Sequence, residues 1–365
     1  MMIKKKILPA LALTASALLV LVGCTVGGTA TGGGGEGEGS GDAVFAASQQ
    51  VELFEMIDSA QGSMEGKRVA YVPIMFEGHP LLENWYQSVA LTLENQGAEV
   101  KVYDPNFDTD VMVKMVDDII AKKSADILIV QNPDVGVLAN QIGAAAEAGI
   151  YTILLNMASN TMGDALVMAD QVQAGKDVTE RAIADCKANG DSKQLHMIYG
   201  PGSDAVSMQF DAGAKAAADE AGFEITYTAT SWQQTEAQEA ASNALQQYKG
   251  KICGFLVAFD VNSMPVGDEV QAAVARGDIA QGEVGVYTFG GDHLWCDAIR
   301  SGKVTATAAY NVDGLGQAVA SAAQELVQRG EPAGSKPTVS FVAHKVVDAT
   351  NIDKLSFSCY QGLLD

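Results

Sequence analysis

Positive charge is scarce in this chain. Only 23 Lys and Arg stand against 45 Asp and Glu, a formal net charge of −22 at pH 7. So acidic a surface repels nucleic acid and anionic lipid, and no nucleic-acid partner is expected. Histidine is scarcer still, at four residues, and neither a Cys-x-x-Cys nor a His-Glu-x-x-His spacing occurs to hold a metal. A Gly-x-Ser-x-Gly elbow and a phosphate loop are missing too, so no enzyme, catalytic residue or cofactor is expected. Beyond the first two dozen residues no apolar run approaches the ~20 residues that cross a bilayer. What is present, 48% hydrophobic against 19% charged residues, belongs to a folded protein. Of the 365 residues, roughly 300 remain after the N-terminal leader and tether, which favours two domains.

The N-terminus carries the expectation for the compartment. Lys4, Lys5 and Lys6 precede an apolar and small-residue run from Ile7 to Val22, too short for a comfortable membrane span. Leu21-Val22-Gly23-Cys24 at its end resembles a bacterial lipobox. The resemblance implies removal of residues 1–23 as a signal peptide and acylation of Cys24, with each buried methylene contributing ~0.8 kcal/mol of membrane attachment. Three lysines and no acid leave with that peptide, moving the charge from −22 to −25. The mature protein is then extracytoplasmic and lipid-anchored to the cell membrane. Residues 24–43, rich in Gly, Ser and Thr, read as a flexible tether. Residues 44–65 hold an N-terminal helix, with Val51, Phe54, Met56 and Ile57 spaced to cap the body. Cys186, Cys253, Cys296 and Cys359 remain and allow three full pairings, or free thiols.

From Lys67 onward strands and helices alternate, with glycines such as Gly97, Gly149 and Gly190 closing helices. One series runs from the strand Val69 to Met75 through the strand Tyr151 to Leu155 and a short one at Leu166 to Met168. A second restarts at Gln194 to Tyr199 and continues to Val304 to Ala309 and the helix Gly314 to Arg329. Such alternation argues for α/β architecture: two Rossmann-like lobes with parallel sheets flanked by helices. Ligands of open sheets bind beyond the carboxyl ends of the strands, and in two lobes those ends can face one another.

Several phrases in this order resemble the type I periplasmic binding proteins, nearest the ribose- and galactose-binding branch that serves ABC transporters. They include Val69-Ala70-Tyr71-Val72-Pro73, Ala125-Asp126-Ile127-Leu128-Ile129-Val130-Gln131-Asn132-Pro133, Met168-Ala169-Asp170-Gln171 and Arg300-Ser301-Gly302-Lys303-Val304. The resemblance covers Lys67 to Val347. It implies a three-strand hinge, with crossings near Asp170, near Tyr310 to Asn311, and near Glu331 to Pro337. The lobes are then 66–170 plus 311–333 and 171–310 plus 334–350, with a C-terminal tail at 351–365. It also implies a protein that closes around a solute and delivers it to an ABC transporter permease; alternatively, the protein is a ligand sensor that presents its closed form to a membrane receptor, and in either case a monomer is expected.

Site residues follow from the same resemblance. Phe76 and His79 lie in the loop after the first strand, whereas Trp85 is expected to pack inside its lobe. Asn156 ends the fourth strand as an amide candidate. Asp170 stands at the first crossing, where a carboxylate can accept from two vicinal hydroxyls or cap the hinge. Trp232 offers a ring for stacking. Asp260 is a contact or a helix cap, Asp292 an offset carboxylate, and Tyr310 and Asn311 are hinge contacts. Met157 and Ser207 stand where sugar binders carry arginine. Gly200-Pro201-Gly202-Ser203-Asp204-Ala205 mimics a dinucleotide fingerprint but lacks the acid at the next strand end, and reads as a turn with Asp204 as cap. His196 and His344 read as structural. A cleft with carboxylates and no arginine suits a small neutral polyhydroxylated ligand, a sugar or polyol, with a nucleoside or amino-sugar as alternatives.

Overall fold

The computed structural model describes residues 55–291 and 294–354. Two six-stranded sheets organise it. The first lobe runs β1 (Arg68–Val72), α1 (Pro80–Glu94), β2 (Glu99–Val102), α2 (Thr109–Lys122), β3 (Ile127–Val130), α3 (Ala139–Glu147), β4 (Tyr151–Leu155) and β5 (Ala165–Ala169), and is completed by α9 (Val312–Arg329) and β11 (Thr338–Val342). Its strand order is β11-β5-β4-β3-β1-β2, parallel throughout. The second runs α4 (Gln171–Asn189), β6 (Gln194–Tyr199), α5 (Ala205–Ala221), β7 (Glu224–Ala229), α6 (Gln234–Gln247), β8 (Ile252–Val257), α7 (Asp260–Arg276), β9 (Gly285–Gly290), α8 (Leu294–Arg300) and β10 (Ala306–Tyr310). There β12 (His344–Asp348) closes the order β12-β10-β9-β8-β6-β7 and is its one antiparallel strand.

Central strands are apolar without alternation because helices cover both faces. All four residues of β3 and all six of β8 are buried. Helices are bounded by their caps: the Asp108 carboxylate accepts from Val111 N at 3.0 Å at the start of α2, and Lys123 ends it in the left-handed conformation. On α2, Met112, Val116 and Ile119 form the buried stripe of an amphipathic helix. In the second lobe α4 and α5 approach so closely that a Cβ at Gly213 would fall on the Val172 carbonyl, and one at Gly175 on the Phe210 carbonyl. Cys186 of α4 and Cys253 of β8 are joined by a disulfide that pins this helix to the sheet beneath it. Cys296 is also disulfide-bonded, while Cys24 and Cys359 lie outside the described residues.

Two expectations are corrected. The third crossing is not near Glu331 to Pro337: β11 pairs with β5 in the first sheet, and the chain passes to the second only at Ala343, before β12. With one residue between two five-residue strands, the sequence reads as one extended run and gives no mark of the exchange. The N-terminal helix is helical at 55–61, but every one of these residues is exposed. Met64, three residues further on, makes the buried contact instead. The rest of that predicted helix, with the signal peptide and tether, lies outside the described residues.

Candidate functional site

A cavity of ≈ 660 Å³ lies between the lobes. Its walls come from residues just past the carboxyl ends of the strands, the position that open parallel sheets reserve for ligands. After β1 come Ile74, Met75 and His79; after β2, Phe107; after β3, Gln131; after β4, Asn156 and Met157. From the second lobe come Trp232 after β7, Phe259, Val261 and Asn262 after β8, Phe289 in β9 and Tyr310 at the end of β10. The lobes also meet where Val135 N, in the loop after β3, donates to Ser203 O, after β6, at 3.2 Å.

Of the residues picked from sequence, His79, Asn156, Trp232 and Tyr310 line the cavity. Phe76 does not; it stands edge-on to Tyr86 at 5.2 Å. The Asp170 carboxylate is taken up capping α4, where Oδ1 accepts from Gln173 N at 2.9 Å. The Asn311 side chain likewise accepts from Gly314 N at 3.0 Å and caps α9. Asp260 is fully buried at the start of α7, accepts from Val261 N at 2.9 Å and lies against Gly290 rather than on the cavity wall. Asp292 and Cys24, the expected acylation site, lie outside the described residues. The carboxylate-lined cleft expected from sequence is therefore absent among the described residues. No Asp, Glu, Lys or Arg is on the lining.

Asn156 is a hinge clip as well as a wall residue. It sits at φ 58°; its Oδ1 accepts from Ala169 N at 3.0 Å and from Gln171 Nε2 at 3.2 Å, which leaves its Nδ2 to meet a ligand. Because Gln171 opens α4, these bonds tie the first lobe to the start of the second. Trp85, expected as core, is both buried and on the wall, its ring 6.5 Å from that of Tyr310.

Five non-glycine residues among those described have positive φ, and three of them, Phe107 (65°), Asn156 (58°) and Trp232 (62°), line this one cavity. Such conformations cost of the order of 1–3 kcal/mol each and concentrate at ligand sites. Phe107 is held by its backbone N–H on Ile74 O at 2.8 Å. Trp232 packs on Gly200, where any Cβ would overlap the indole, and edge-on to Phe259 at 6.0 Å. Sequence reasoning missed Phe107 and Asn262. The signal for Phe107 was Asp104-Pro105-Asn106-Phe107-Asp108, a turn-forming loop directly after a strand.

Nearby titrating groups are structural. Burial pushes the Asp204 carboxyl up to about 6, offset by hydrogen bonds from Ser207 and Val206, with Asp134 of the other lobe adding repulsion. Asp204 caps α5 through Ser207 N at 2.7 Å, so the glycine-rich phrase before it is a capped turn. His196 bonds Thr226 and Thr228 at 2.8 and 3.0 Å, and burial pushes its ring down to about 4. Among the described residues no cluster is arranged to hold a metal ion and no helix is long and apolar enough to cross a membrane.

Residues 69–332 match the periplasmic binding protein domain model. The chain belongs to the periplasmic binding protein family. Its two hinged lobes are those of the type I fold. A periplasmic ribose ABC transporter protein from Conexibacter woesei has a similar structure, with TM-score 0.68 at 19% identity over 80% of this chain and 95% of that one. A Caulobacter myo-inositol binding protein bound to myo-inositol gives 0.69 at 17% over 80% and 96%. A solute binding protein from Actinobacillus succinogenes with bound D-allose gives 0.66 at 21% over 79% and 100%. These identities speak to fold. No curated protein matches this periplasmic binding protein.

Proposed function

We propose that this is an extracytoplasmic solute-binding lipoprotein, anchored through Cys24, that captures an uncharged, hydroxylated small molecule between its lobes and delivers it to an ABC transporter permease. The observation that carries the reading is the interlobe cavity with no charged side chain among its described lining residues. A charged ligand would lose its hydration there without an ionic partner, a cost of several kcal/mol. The bound D-allose and myo-inositol of the structural neighbours put sugars and polyols first. The aromatic walls favour a second reading, a nucleoside.

The ligand test is a thermal-shift screen of pentoses, hexoses, polyols and nucleosides beside sugar phosphates and sugar acids. One neutral class should raise the melting temperature, by linkage of binding to folding. A response confined to the anionic compounds would overturn the proposal. Cys24→Ser should release the protein from the membrane fraction.

A further inference from the structure

The cavity wall is rich in rings, a surface that a planar ligand uses more fully than a sugar does. Fifteen of its 23 described lining residues are apolar or aromatic, among them Trp85, Phe107, Trp232, Phe259, Phe289 and Tyr310. Each hydroxyl of a monosaccharide brings a donor and two acceptor sites into a closed site, and those left unmatched oppose binding. The amides are also partly committed: Gln131 Oε1 accepts from Ile74 N at 3.1 Å, and Asn156 Oδ1 is doubly occupied.

Two polar atoms of lining residues, one from each lobe, are buried without a partner, and a ligand reaches them only when those side chains turn toward the cavity. The indole N–H of Trp85 is without an acceptor, and Oδ1 of Asn262 is without a donor. Both residues are at least 97% buried, with relative exposures of 1% and 3%. Orphans of this kind are uncommon in folded proteins and call for an occupant. A ligand that satisfies both offers one acceptor and one donor on an otherwise flat, apolar body.

Resting on the solute-binding reading, we infer that the cleft takes a neutral nitrogen heterocycle of the nucleobase kind, stacked on Phe107 and Trp232 from opposite lobes and hydrogen-bonded to Trp85 and Asn262. An asparagine amide matches the adjacent donor and acceptor on a base edge. Aromatic side chains supply a stacking surface that every base can use. The strained backbone at Phe107 and Trp232 is consistent with rings placed for a ligand. With no lysine or arginine on the described lining, a nucleotide's phosphate would find no cationic side chain there, which disfavours a nucleotide.

The experiment is calorimetric titration of the full chain with adenine, adenosine, uridine, AMP, D-ribose and myo-inositol. A base or nucleoside should bind, with AMP, ribose and inositol at least about a hundredfold weaker. Free base against nucleoside tells whether the heterocycle is recognised alone or on its ribose. Phe107→Ala, at a half-exposed position that leaves the core intact, should weaken binding about tenfold or more. Asn262→Leu should do the same and erode discrimination between bases. Binding of ribose or inositol alone overturns this inference and leaves the solute-binding proposal standing. Base binding unchanged by both substitutions also overturns it, as does binding of none of the six compounds, whereas the solute-binding proposal stands or falls on the wider thermal-shift screen.

Discussion

Asp204 and His196 share the second lobe and are displaced from their ordinary protonation in opposite directions by the same cause, burial. Below its usual value of 6.5 the unfolded chain protonates a histidine that the fold keeps neutral to about 4, so stability falls as pH drops through that window. The fold holds a proton on Asp204 up to about 6, whereas the unfolded carboxyl releases it above 3.8, so this group makes stability rise as pH drops. The two oppose one another between pH 4 and 6. Asp204→Asn keeps a capping oxygen and removes one side of the balance. Its unfolding free energy, measured by urea titration, should then fall as pH is lowered from 6.5 to 4, by up to ~1.4 kcal/mol per pH unit. A variant profile no steeper than the parent's would refute the assignment. Residue-level legibility was uneven. Trp232 could be found because an aromatic after a strand has few uses. Asp170 and Asn311 could not be separated from ligand contacts, because a cap and a sugar ligand demand the same side-chain oxygens.

Among the elements, α4 and α5 show how a helix pair is specified by what its sequence omits. Gly175 and Gly213 let the backbones touch, and any side chain there must push the helices apart. Gly213→Ala should cost about 1–3 kcal/mol through overpacking. That corresponds to a melting-temperature loss of roughly 2–4 °C per kcal/mol. Gly202→Ala, in an open loop with nothing near its missing Cβ, is the control and should stay within about 0.5 kcal/mol. Most elements were readable because covered parallel strands leave unbroken apolar runs and helices end at glycines. The pair β11 and β12 was not. Val339 and Phe341 of β11 are exposed at a sheet edge, so neither burial nor alternation marks the strand.

At the scale of the whole molecule, the two lobes and two of the three crossings were legible from the restart at Gln194 and the phrases around Asp170 and Tyr310. The cavity's chemistry was not, since it depends on which way strand-end side chains turn. The Cys186–Cys253 bond closes a 67-residue separation within the second lobe. Replacing both cysteines by alanine should lower unfolding free energy by about 4 kcal/mol, seen as a drop in the guanidinium midpoint. Little or no change would mean that the bond leaves the unfolded chain almost unconstrained.

The seam at Ala343 has a mechanical consequence. Five residues are bonded along the edge of one sheet and five along the edge of the other, with a single residue between. A residue spans at most ~3.6 Å, so this seam has no slack to pay out. The halves can turn about it, as pages turn about a spine, but cannot drift apart there. Every opening of the molecule is therefore a rotation, widest at the side farthest from this stitch.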